Sequence, residues 1–210
     1  MGTLWPPPFR GFARPSGSAR ADSLGPVTRT LLSTRVLLVC AALGVATGLL
    51  GGVAGILTPF VIAAAPYAYG LVLGSHVLPG IIAQQVFRMP LVALTTHVLA
   101  ALVASAVNPA WVGRFLATAL LFGAIQEGVA ALTRYRAWGR WRFYVSAVAI
   151  GVVVAVAVAF AADLTILPTW AQVAYFVFSI LGPVAWTAAG LGVGSSLRQA
   201  GVARQPLRSR

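Results

Sequence analysis

A chain of 210 residues that is 59% hydrophobic and only 9% charged has too little polar surface for a soluble globular domain. Its net charge of +12 invites a nucleic-acid reading, yet all fifteen basic residues are Arg. They sit between apolar runs without the aromatic interleaving of RNA-binding surfaces, so no nucleic-acid partner is expected. Cys40 stands alone, which excludes an intrachain disulfide and a cysteine-based metal site.

In chain order, residues 1–32 carry Pro6, Pro7 and Pro8, then Arg10, Arg14 and Arg20, with no apolar period. They read as a disordered, Arg/Pro-rich cytoplasmic tail. An Arg-rich start before an apolar run also resembles a secretory signal, and Ala63 to Ala65 supplies an Ala-x-Ala pattern. The run from Val36 to Leu57 is longer than a signal core of roughly 7–15 residues, which favours a retained helix. Six apolar spans follow, at 35–57, 66–87, 90–107, 113–133, 143–163 and 170–197, each near the ~20 residues that cross the hydrocarbon core. Breaks fall at Thr58-Pro59, Arg88-Met89-Pro90, Asn108-Pro109, the run Arg134 to Arg142, and Leu167-Pro168. Residues 58–66 read as a loop or re-entrant segment. The expected fold class is therefore all-α, a six-helix membrane domain over 33–198 followed by a basic cytoplasmic tail over 199–210.

The Arg positions set the orientation. With both termini in the cytoplasm, fourteen Arg lie inside and only Arg114 lies outside, as the positive-inside rule requires. A multi-pass protein of the bacterial plasma membrane is the expectation.

Four titratable side chains fall within the spans: His76, His97, Glu127 and Asp163. Such groups are expensive in hydrocarbon and usually face the bundle interior. Glu127 and His97 lie at similar depth on consecutive helices, so a hydrogen bond or ion pair between them is geometrically open, either as helix glue or as part of a binding site. His76 is flanked by Gly74, Ser75 and Pro79, an interruption tolerated where backbone is buried or lines a cavity. Asp163 ends the fifth span, where it caps or anchors a loop or marks a pocket mouth. Tyr67, Tyr69, Trp111 and Trp170 lie at the outer interface, as an aromatic belt or together as a stacking lid over a ring. In the first span Ala42/Ala46 and Gly44/Gly48 form two small-xxx-small patterns, which an internal contact or a partner subunit would satisfy equally.

No phosphate loop, His-Glu-x-x-His or nucleophile elbow occurs, so neither an enzyme nor a resident cofactor or metal is expected. Without a nucleotide site the chain moves solute downhill or borrows energy from partners. Two other functions compete: a stand-alone transporter or channel with a His97–Glu127 proton relay, and an intramembrane lipid enzyme with Glu127 as base.

Glu127 to Trp138, EGVAALTRYRAW, together with ALGVATG at Ala42 to Gly48, Arg88-Met89-Pro90, and HVLAALVASAVN from His97 to Asn108, resembles the YkoE-type substrate-binding (S) components of energy-coupling-factor (ECF) ABC transporters. Asp163, Gln172 and Tyr175 have counterparts in that family. The resemblance covers most of 35–200. It implies capture of thiamine, its hydroxymethylpyrimidine precursor or a related small vitamin-like ring on the outer face. The partners it implies are a transmembrane coupling subunit and two cytoplasmic ATPases, with Ala42 and Ala46 at the docking face. By the resemblance and the placements above, the expected substrate-binding set is His76, His97, Glu127, Tyr69, Asn108, Trp111, Asp163, Trp170, Gln172 and Tyr175. His97 stands where the family carries Glu, His76 where it carries Trp, and Phe122 near a family Gln, with Gln126 one turn away. Losing the Glu removes a negative charge from the presumed pocket, which weakens the case for cationic thiamine.

Overall fold

The computed structural model describes Gly2 and residues 33–202. The Arg/Pro-rich tail expected over 1–32 lies outside the described residues apart from Gly2, as does the end of the chain, 203–210. Among the described residues every regular element is helical: α1 (Thr34–Ala64), α2 (Pro66–Phe87), α3 (Val92–Val107), α4 (Val112–Leu132), α5 (Arg140–Ala161) and α6 (Thr169–Gln199). All but α3 are long and apolar enough to cross a membrane; α3, with 16 residues, rises only about 24 Å. Large apolar side chains face outward along the rods, with Leu132 85% and Phe160 86% exposed, which suits a lipid surround.

The rods alternate in direction. One end gathers Tyr67, Trp111, Arg114, Asp163 and Trp170, and the other gathers Arg88, Arg134, Arg142 and Arg198. We call these the aromatic and the arginine-rich ends. α1 packs chiefly on α3, α3 on α4, and α6 on both α2 and α5, whereas α4 and α5 touch far less. α2 is the enclosed centre: Gly70 and Gly74 let its backbone lie directly against Gly182 of α6, where a Cβ on Gly74 would sit 2.5 Å from the Gly182 carbonyl carbon. At the arginine-rich end Arg35 Nη2 donates to the Val202 carbonyl (3.1 Å), tying the start of α1 to the end of α6.

One boundary corrects the sequence reading. α1 does not stop at Thr58-Pro59, and no loop or re-entrant segment spans 58–66; the helix runs through Pro59 to Ala64. The proline forfeits the backbone bond to the Gly55 carbonyl, a loss that a helix within a membrane bundle tolerates; one residue earlier, Thr58 Oγ1 donates to the Ala54 carbonyl (2.8 Å). At about 46 Å, α1 exceeds the hydrocarbon core, so it tilts or projects. α2 is interrupted where Gly74, Ser75 and Pro79 predict it: a 3-10 turn at Ser75–Val77 separates two α-helical pieces.

Candidate functional site

At the aromatic end the sparse contact between α4 and α5 leaves a cavity of about 510 Å³, walled by α2, α4, α5 and α6. Its walls are apolar apart from four side chains: Tyr69, Arg114, Thr118 and Tyr175. Tyr69 begins the first α-helical piece of α2 and is buried. Its hydroxyl accepts a hydrogen bond from Arg114 Nη2 (2.5 Å). The Arg114 guanidinium lies 4.5 Å from the Trp111 ring centroid and 5.8 Å from that of Tyr69, so two aromatic faces hold it at the mouth. Trp111 is placed there by the 3-10 turn Pro109–Trp111 that leads into α4. Tyr175 donates to the Ala155 carbonyl (3.3 Å), which locks its ring into the wall. Phe122, 1% exposed, forms the floor.

On the α1 side of the bundle lie two much smaller spaces, both lined by His76, Phe115 and Thr118: one of about 10 Å³ that reaches Trp111 and Arg114, and one of about 20 Å³ that reaches Gly48 and His97. Each has room for about one water molecule. His76 stacks on Phe115, with ring centroids 6.3 Å apart. The structure thus places Tyr69 and Tyr175 on the cavity wall, and His76 and Trp111 on the smaller spaces beside it.

It places Asn108, Asp163, Trp170 and Gln172 off the cavity wall. Asn108 ends α3. Asp163 is exposed and accepts a bond from the Thr165 hydroxyl. Trp170 packs edge-on against Tyr67 (5.4 Å), and Gln172 Nε2 donates to the Leu167 carbonyl (2.8 Å), pinning the α5–α6 loop.

A polar cluster occupies the arginine-rich half. The expected His97–Glu127 pairing is not formed. His97 Nε2 donates instead to Gln126 Oε1 (3.1 Å), and Gln126 Nε2 donates to the Val77 carbonyl (3.1 Å). Successive side chains on a helix diverge by about 100°, so Gln126 reaches the α2–α3 crossing while Glu127 faces the start of α3. Glu127 Oε1 accepts the Ala93 N–H (2.9 Å) and Oε2 accepts the Tyr135 hydroxyl (3.1 Å). Gly80 makes the room: a Cβ there would stand 2.8 Å from His97 Nε2 and collide with Gln126 Oε1.

Arg142, 1% exposed, donates to Gln84 Oε1 (3.2 Å) and lies between the rings of Trp138 and Phe143, with its Nε unpartnered. Burial lifts the Tyr135 phenol to about 12, aided by the Glu127 charge and hydrogen bond and opposed by Arg142. Sequence reasoning counted Arg114 and Arg142 only as topogenic charges and gave Gln84 no role. The available signal was their company: Arg114 follows Trp111 by three residues, and Arg142 follows Trp138 by four.

The small residues of α1 divide. Gly44 and Gly48 are buried against α3, where a Cβ on Gly48 would lie 2.5 Å from the Ala100 carbonyl oxygen. Ala42 and Ala46 are exposed. Among the described residues no three of His, Cys, Asp and Glu gather as metal ligands.

A family model described as "ABC-type cobalt transport system, permease component" matches residues 35–153. The fold is similar to the crystal structure of an S-component of an ECF transporter, with a TM-score of 0.72 and 17% sequence identity over 81% of this chain and 87% of that one. No curated protein matches the chain.

Proposed function

The chain belongs to the family of ABC-type cobalt transport system permease components, and from that membership we propose that it is the substrate-capturing membrane subunit of an ECF-type importer. It is a multi-pass membrane protein. In this reading all six helices span the bacterial plasma membrane, with both termini cytoplasmic, so the aromatic end is outside. The positive-inside distribution supports that orientation. A transmembrane coupling subunit and two ATPases supply the energy, and the exposed Ala42 and Ala46 offer a flat docking face on α1.

The observation that carries the proposal is the cavity of about 510 Å³, within the range of small-molecule sites and lined by apolar walls with a few polar groups. The cargo is a small vitamin-like ring compound. Tyr69 and Tyr175 present aromatic faces to such a ring. Arg114 at the mouth makes cationic thiamine a poorer fit than hydroxymethylpyrimidine or another uncharged or acidic ring. The cobalt named by the family description has less support as a bare ion, because the described residues gather no set of three ligands for it. The proton relay of a stand-alone transporter loses its basis, since His97 bonds Gln126 and Glu127 bonds Ala93 and Tyr135.

Reconstitution in liposomes tests the proposal. Uptake is expected only when the coupling subunit and ATPases are present and ATP is supplied inside the vesicle-equivalent of the cytoplasm. Proton-driven uptake by this chain alone would overturn it. Titration with hydroxymethylpyrimidine, thiamine and Co²⁺ ranks the cargoes.

A further inference from the structure

We propose that the cavity at the aromatic end selects an anion, a ring-bearing or otherwise apolar molecule whose carboxylate or phosphate group pairs with Arg114. This rests on the capture reading above and narrows its cargo. Arg114 is the one charged side chain on the cavity wall; Tyr69, Thr118 and Tyr175 are neutral. Its guanidinium is already oriented, with the Trp111 ring on it at 4.5 Å and one nitrogen committed to the Tyr69 hydroxyl. The remaining N–H groups of the planar fork suit the two oxygens of a carboxylate or phosphate.

No acidic group of the described residues neutralises it. Glu127 lies thirteen residues further along α4, about 20 Å away, bound to Ala93 and Tyr135. Asp163 keeps its charge while accepting the Thr165 hydroxyl, and it forms no ion pair with Arg114. Arg114 is exposed at the mouth, so solvent screens part of its field, which still attracts anions and repels cations. Arg114 also occupies the first turn of α4, where the helix dipole has the same sign.

The lining residues Ala117, Leu121, Ala157 and Ala161 are exposed on the α4 and α5 edges, so the cavity also opens between those helices toward lipid. Two sources therefore share the required chemistry: a water-soluble aryl acid and an anionic amphiphile such as a lipid headgroup.

The test uses the full chain in nanodiscs and calorimetric titration with matched pairs: indole-3-acetate against indole-3-acetamide, and pyridoxal 5′-phosphate against pyridoxine. Each pair is run in phosphatidylcholine discs and in discs doped with phosphatidylglycerol. The acid of at least one pair is expected to bind roughly tenfold to a hundredfold tighter than its neutral partner, the range of one charge-assisted contact. R114Q should erase that preference, and R114K, which keeps the charge, should restore most of it. Acid binding that phosphatidylglycerol suppresses, in an R114-dependent way, supports the anion site and identifies lipid as its occupant. Equal binding of acid and neutral forms, or a preference untouched by R114Q, overturns the anion inference while leaving capture of a neutral ring in place. Failure of every probe, with no R114-dependent effect of phosphatidylglycerol, overturns the inference as well, and the ATP-dependent uptake assay then decides the capture reading separately.

Discussion

Glu127→Ala is expected to loosen the bundle at the start of α3. The first turn of any helix leaves N–H groups without intrahelical partners, and α3 begins after Leu91, whose side chain cannot cap it. Glu127 supplies the missing acceptor from α4, taking the Ala93 N–H at 2.9 Å and the Tyr135 hydroxyl at 3.1 Å. Hydrogen bonds to a charged acceptor contribute about 1.5–3 kcal/mol each, and a buried charge left without its counter-charge costs about 3–5 kcal/mol when one partner is removed. The Glu127 and Arg142 charges both act on Tyr135 and so lie in one neighbourhood. Because these effects overlap, E127A should lose about 3–5 kcal/mol in total, and E127Q, which also removes the charge but keeps an acceptor for Ala93, about 2–4 kcal/mol. For a chain of this length that is roughly 6–20 °C in Tm for E127A.

The sole cysteine reports the event. Cys40 is 1% exposed and packs with Ala83 and Val92, immediately beside Ala93. A thiol-reactive fluorescent dye should therefore label E127A at lower temperature than wild type, with E127Q between them. Labelling of E127A at the wild-type temperature would refute the capping role.

The Tyr135 phenol is raised above its ordinary value of 10.0 to about 12. The folded chain therefore binds more protons than the unfolded chain between those values, and stability should fall as pH rises from about 10 to about 12; Y135F should lack that part of the decline in thermal melts. Gly48→Leu should destabilise the bundle by about 1–3 kcal/mol or more by forcing α1 off Ala100, whereas Ala46→Trp should leave the dye melt unchanged and reduce co-purification with the coupling subunit. Ala157→Trp, placed on the cavity wall, should abolish cargo binding in titrations and spare assembly with the ATPases. Gln126→Ala strands His97 and the Val77 carbonyl and should cost about 1–3 kcal/mol in the same melts.

The fold was legible in the sequence to the extent that it depends on hydrophobic length and backbone breakers. Arg88-Met89-Pro90, Asn108-Pro109 and Leu167-Pro168 each separate two rods. Pro59 misled because it is a breaker in water but a tolerated residue in a membrane helix, here inside α1. The site was less legible for a geometric reason. Glu127 and His97 share a depth, but depth does not fix azimuth, and the azimuth of α4 gives His97 to Gln126. Arg142 lies in a run of four Arg that composition marks as a cytoplasmic loop, yet the first turn of α5 carries it inward between Trp138 and Phe143. Aromatic placement suggests Tyr69 and the family resemblance suggests Tyr175; no local pattern announces that they share a cavity from α2 and α6.

The two halves of the bundle impose opposite demands on a cargo. The cavity of about 510 Å³ at the aromatic end has room for a small molecule, whereas the spaces beside His76, on the α1 side, hold only about 10 and 20 Å³. Beyond them the His97–Gln126–Val77 contacts close the α2–α3–α4 crossing, with Gly80 leaving no slack. A ring compound passing straight through would have to break these buried bonds at about 1–3 kcal/mol apiece and part helices whose backbones touch. On the capture reading, the bundle holds a cargo rather than conducting one. In the importer reading, release falls to a partner that acts on the bundle as a whole, and the exposed Ala42 and Ala46 on α1, opposite the face that Gly44 and Gly48 bury against α3, are where a helix of that partner finds a flat surface.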